Sequence, residues 1–126
     1  MPYRLGADPE KHGSADCLSL ARCVLRYYGV NSPDPTREWY RRLKSKDYAI
    51  FKEQLELWGV RVKHPKIRTV GLCRSDDGFG LSIYWEGGWL NFQKIFGESE
   101  VVWSPAEALE LEGLYYPKKQ NYVISS

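Results

Sequence analysis

An α+β fold, with helices first and an antiparallel sheet after them, is what this sequence predicts. Apolar residues recur at helical spacing through the first half of the chain. In the second half they alternate with period two, and turn-forming Gly and Asp separate the alternating runs. Helices followed by such a meander define the class. At 126 residues the chain is expected to form one domain over residues 1–116, with an extended tail from 117 to 126.

The first helix should open near Ser14 to Asp16, both good N-caps, and stop at Gly29 in the C′ position. Between them Cys17, Leu18, Leu20, Ala21, Val24, Leu25 and Tyr28 follow helical spacing. After the loop Asn31–Pro35, Asp34 with Pro35 predicts an N-cap and first position, opening a short helix through about Leu43. A third helix begins at Ser45–Asp47, carries Tyr48, Phe51, Leu55 and Trp58 on one face, and ends at Gly59. Short strands are then expected at Val60–Lys63 and Thr69–Arg74. Phe79, Leu81, Ile83 and Trp85 alternate with small or polar residues, and Glu86-Gly87-Gly88 turns this strand back into Trp89–Gln93. Val101–Trp103 is a further strand, and Ser104-Pro105-Ala106-Glu107 reads as a capping box opening a short helix.

Composition narrows the function classes. With 43% hydrophobic and 27% charged residues the chain is an ordinary globular sequence. A net charge of +2 is too small to argue for nucleic acid by itself. Three cysteines, Cys17, Cys23 and Cys73, are odd in number and lack C-x-x-C spacing, which argues against a disulfide framework and a zinc site. No apolar run approaches membrane-spanning length and Met1-Pro2-Tyr3-Arg4 opens no signal peptide, so synthesis in a reducing cytoplasm is expected. No cofactor or metal is expected either. Five Trp and nine Tyr exceed what a small core needs, and Trp and Tyr are enriched at interfaces.

The stretch carrying chemistry is His12-Gly13-Ser14-Ala15-Asp16-Cys17-Leu18-Ser19-Leu20. It places a cysteine in the first turn of a helix, where the macrodipole favours thiolate over thiol. A cysteine nucleophile also needs a general base beside it, usually histidine, and the chain has only His12 and His64. Asp16 reads as the residue that starts the helix rather than as a catalytic group.

A helix opened by Asp16-Cys17-Leu18-Ser19-Leu20, then Thr69-Val70-Gly71-Leu72-Cys73, then Gly80-Leu81-Ser82-Ile83-Tyr84-Trp85-Glu86-Gly87-Gly88, resembles the papain-like NlpC/P60 superfamily. Its motifs D-C-S-G-L, G-D-L-V-x-F and H-V-G-I-Y-x-G-x-G occur in the same order, and the likeness spans roughly residues 12 to 95. It is closest to the short NlpC/P60-like proteins of tailed phages. The resemblance implies a papain-like fold, N-terminal helices packed on an antiparallel meander, with Cys17 as the nucleophile of a peptidase or amidase acting on peptidoglycan peptides. The position of the family's base falls on Gly80, and neither Phe79 nor Leu81 beside it can accept a proton. Asn91 stands where the family's orienting residue lies.

The expected function is therefore a non-catalytic NlpC/P60-like structural or binding component of a phage virion, in the tail or neck region. It would be made in the host cytoplasm and dock on other virion structural proteins. The alternative is an active cysteine hydrolase cleaving peptidoglycan with Cys17. A weaker alternative is a nucleic-acid-associated protein using Arg37, Arg41, Arg42, Lys44 and Lys46, interleaved with Trp39 and Tyr40. Candidate binding residues are Tyr84, Trp85 and Trp89 around the Gly87-Gly88 turn. Tyr122, Val123 and Ile124 in the tail could add a strand to a neighbour's sheet.

Overall fold

A computed structural model describes residues 16–32, 34–75, 78–95 and 98–118. Three helices, α1 (Cys17–Tyr27), α2 (Arg37–Lys44) and α3 (Ala49–Trp58), precede six strands. The strands are β1 (Gly59–Val62), β2 (Val70–Ser75), β3 (Gly78–Trp85), β4 (Gly88–Ile95), β5 (Glu98–Pro105) and β6 (Leu111–Pro117). They form one antiparallel sheet in the order β1-β6-β2-β3-β4-β5. The α+β class expected from the sequence is what the chain adopts.

Helix α1 ends as its sequence dictates. The Gly29 amide bonds the Arg26 carbonyl at 3.0 Å and the Val30 amide reaches back to the Leu25 carbonyl at 2.9 Å, a Schellman closure. This needs a left-handed residue at position 29, where φ is +79°, and glycine adopts that without steric penalty. Leu25 and Val30, brought together by the closure, are both buried. Two helix starts differ from expectation. Thr36 rather than Asp34 caps α2, accepting from the Trp39 amide, while Asp34 instead pairs with Arg22. Helix α3 starts after Tyr48 with no side-chain cap.

The helices share one face of the sheet. Leu20, Val24 and Leu25 of α1 and Phe51, Leu55 and Trp58 of α3 close over Val70, Leu72, Leu81 and Ile83 of β2 and β3. Burying each such side chain stabilises the fold by about 1.5–3 kcal/mol. The β3–β4 hairpin turns through Glu86 and Gly87, both left-handed, the I′ geometry that matches strand twist.

Strand β6 was not expected, and the expected helix after Ser104 is a single 3₁₀ turn, Ala106–Ala108. The Ser104 hydroxyl does not cap that turn; it accepts from Asn91 and Gln93 instead. Residues 106–110 must carry the chain from one edge of the sheet to a strand four places away. A flat sheet would require about 19 Å, whereas this connection reaches only about 16 Å. The sheet therefore curls, and the 3₁₀ turn packs against β4. Curling brings the Trp89 ring of β4 within 3.2 Å of where a side chain on Gly71 of β2 would sit. That is why Trp89, Ser82, Asn91 and Ser104 are buried although they alternate with residues on the helix-covered face.

Candidate functional site

The start of α1 is fixed by a reciprocal pair. The Asp16 carboxylate accepts from the Ser19 amide at 2.7 Å, and the Ser19 hydroxyl accepts from the Asp16 amide at 3.0 Å. Asp16 is also the acceptor of the Tyr40 hydroxyl, reaching over from α2. The carboxylate is 1% exposed and serves as a cap and an anchor between two helices. Burial, followed by the Asp16 charge, pushes the Tyr40 phenol well above its ordinary range, so it stays protonated.

Cys17 is the first residue of α1, as the sequence predicts, and packs at the margin of the core. Its chemistry is the reverse of what the helix dipole alone implies. Burial pushes the thiol up to about 12, against a lowering by the Leu81 amide, which donates to the sulfur. The Asp16 charge raises it further, as ionisation of Cys73 would. Desolvation wins because no cation among the described residues acts on the sulfur to replace the lost water around a thiolate. With such a pKa the thiolate fraction at pH 7 is on the order of 10⁻⁵. Cys73, bonded to Ser82 at 3.3 Å, is likewise held protonated by burial.

Gly80, at the expected base position, immediately precedes Leu81, whose amide meets this sulfur. Gly80 pairs with Cys73, and a Cβ built on it meets nothing within 4 Å among the described residues. By strand alternation it would point to the face of Cys73 and Ser82, away from the face on which Leu81 meets the helices. His64 is exposed in the loop after β1, and β6 and β2 lie between β1 and β3. His12 lies outside the described residues.

Asn91 is not brought to Cys17. It alternates with Leu90 and Phe92, which pack on the helix-side core, and so occupies the other face. Its amide nitrogen lies 3.1 Å from the Trp89 and Val102 carbonyls and the Ser104 hydroxyl, and its oxygen accepts from Gln93 at 2.9 Å. Sequence reasoning missed this polar cluster; the alternation of Trp89, Asn91 and Gln93 was its signal.

The sheet also divides the three rings expected around the hairpin turn. Trp89 is wholly buried on the curled face with Tyr84 edge-on to it, so it cannot belong to a binding ledge. Trp85 is on the helix side, within 6 Å of Tyr27 and Tyr28 ring centres, and its carbonyl accepts the Trp103 indole N–H at 2.8 Å. Tyr27 and Trp103 are the exposed members, at 74% and 46%. In the basic helix, Arg41 pairs with Glu38, and Arg42 with Asp47 and Glu53, while Leu43 turns inward. Tyr122, Val123 and Ile124 lie outside the described residues.

Among the described residues no cluster of three His, Cys, Asp or Glu could hold a metal ion. No described helix is long and apolar enough to cross a membrane. Compared with known proteins, the chain matches no family model, no curated protein and no solved structure.

Proposed function

We propose that this protein is a non-catalytic relative of the NlpC/P60 fold that serves as a structural or binding component of a tailed-phage virion, in its tail or neck. The observation carrying the non-catalytic half of this reading is the surroundings of the Cys17 sulfur: it accepts from the Leu81 amide, burial raises its pKa, and Gly80, at the base position the resemblance implies, has no side chain to take a proton. A cysteine hydrolase needs the thiolate and a proton acceptor together, and each contributes orders of magnitude in rate. The virion setting comes from the order of motifs between residues 12 and 95. Docking on other virion proteins is supported by the exposed Tyr27 and Trp103 and by β1 and β5, whose outer edges carry no strand among the described residues.

The test is incubation of the protein and of Cys17→Ala with peptidoglycan, followed by mass spectrometry of released peptides. The expected result is no release by either. Release by the unaltered chain that disappears in Cys17→Ala would establish the hydrolase instead. Particle association is read separately, by co-sedimentation of the protein with virion or tail fractions. Failure to sediment with any particle component would remove the structural role.

A further inference from the structure

The sheet ends in two edges of opposite charge. Residues 59–68, which hold β1 and the loop after it, carry Arg61, Lys63, Lys66 and Arg68 and no acid. Residues 98–112, from the start of β5 into β6, carry five Glu and no base. Val60 and Arg61 of β1 are exposed, as are Lys63 and His64 just beyond it. On β5, Trp103 is exposed and Glu100, Val101 and Val102 are half-buried. Neither strand has a partner on its outer side among the described residues.

An open edge offers a row of N–H and C=O groups to any strand that reaches it, and charged side chains are a common means of keeping two such edges apart. Here the charges act selectively. Two β1 edges brought together set cation against cation, and two β5 edges set acid against acid. Only β1 against β5 joins opposite charges, and every copy of the chain owns both.

The topology fixes the direction of such a joint. All neighbouring strands are antiparallel and four of them separate β1 from β5, so these two run in opposite directions. An antiparallel joint between β5 of one copy and β1 of the next continues that alternation and leaves all copies pointing the same way. It carries the basic loop after β1 past Glu98 and Glu100 at the start of the neighbour's β5, whereas a parallel joint would carry it toward Trp103 and Pro105. Arg61 shares the face of Tyr115, and Trp103 shares the face of Leu90, both core-packed on the helix side. With Arg61 set opposite Trp103, the helices of both copies stay on one side of the joined sheet.

We infer that this chain assembles with further copies of itself, head to tail, through β1 of one copy against β5 of the next. The joint is heterologous, so repetition gives a ring where the rotation closes and a helix where it does not. The inference deepens the docking part of the proposed function, on which it rests, by naming the partner, and takes nothing from the virion setting.

Sedimentation velocity of the full chain over about a hundredfold range of concentration is the measurement. The mass is expected to rise with concentration and to fall with added salt. Lys63→Glu/Lys66→Glu and Glu98→Lys/Glu100→Lys should each weaken association about tenfold. An equal mixture of the two should restore it, since each supplies the charge the other lacks. Lys63→Gln and Glu100→Gln, which only remove a charge, replace any reversal that fails to fold and should weaken association about threefold. A wild type that stays monomeric, association that ignores reversal at either edge, or a mixture no better than its parts would overturn the joint. Association that appears only after deletion of residues 119–126 would also overturn it, by giving an edge to the chain's own tail. The virion reading fails separately: a chain that assembles by itself yet sediments with no particle component keeps this joint and loses that setting.

Discussion

The backbone amide of Leu81 donates to the sulfur of Cys17, tying the first residue of α1 to the middle of β3. A strand amide is thus the hydrogen-bond donor that meets the sulfur. The contact locks the helix start onto the sheet, and it does so with the thiol in its neutral form.

Cys17 should therefore resist alkylation in the native state. Iodoacetamide at pH 8 is expected to modify it orders of magnitude more slowly than a free thiol, and to reach it at an ordinary rate once the chain is unfolded in denaturant. Mass spectrometry of tryptic peptides separates it from Cys23 and Cys73. Rapid native labelling of Cys17 would contradict its desolvation.

The same burial sets a pH dependence. The thiol pKa rises from 9.0 to about 12 on folding, so the folded state holds the proton more tightly than the unfolded chain. Its contribution is fully present below pH 9 and is lost as the pH climbs toward 12. Melting curves of the wild type should decline over that window more steeply than those of Cys17→Ala. Parallel declines would show that other groups account for the loss.

Asp16→Ala should destabilise the protein by about 1–3 kcal/mol, because it removes the helix cap and strands the Tyr40 hydroxyl. Asp16→Asn keeps an acceptor for the Ser19 amide and should lose less. Urea denaturation of both variants gives the comparison, and equal losses would mean that charge rather than capping is what matters there.

Two glycines facing the same side of the sheet should respond oppositely. A methyl on Gly71 would meet the Ser82 hydroxyl at 2.6 Å and the Trp89 ring at 3.2 Å, so Gly71→Ala is expected to cost about 1–3 kcal/mol. Gly80→Ala meets none of the described residues and should be neutral or stabilising by up to about 1 kcal/mol, since glycine weakens strand interiors. Gly80→His should fold for the same reason and yet release no peptide from peptidoglycan, because its ring would face away from the helix side. Denaturation midpoints test the first pair and the peptide-release assay the last.

Much of the local structure could be read from the residues. The Gly29 stop, the Glu86-Gly87 turn and the helix-side positions of Leu81 and Ile83 depend on neighbours close in sequence, where conformational preference and periodicity speak directly. Strand β6 could not be read because its buried positions are Gly113, Tyr115 and Pro117, and two of those three residue types ordinarily mark breaks in a strand. The cysteine's place on its helix was equally plain. Its protonation state was not, since that comes from β3, more than sixty positions away in the chain, whose packing cancels the dipole. Asn91 was misplaced for a related reason: only the curl of the sheet turns its face into an interior.

The pairing of β1 with β6 has a consequence for biosynthesis. Gly59–Val62 has its only described strand partner in residues 114–117, so α3 and β1 wait through translation of more than fifty further residues for that partner. Contacts this distant in sequence slow folding, and the growing chain carries uncovered hydrophobic surface until they close. Ribosome-stalled chains ending before Leu111 should accordingly be digested by added protease, and chains extended beyond Pro117 and clear of the exit tunnel should survive.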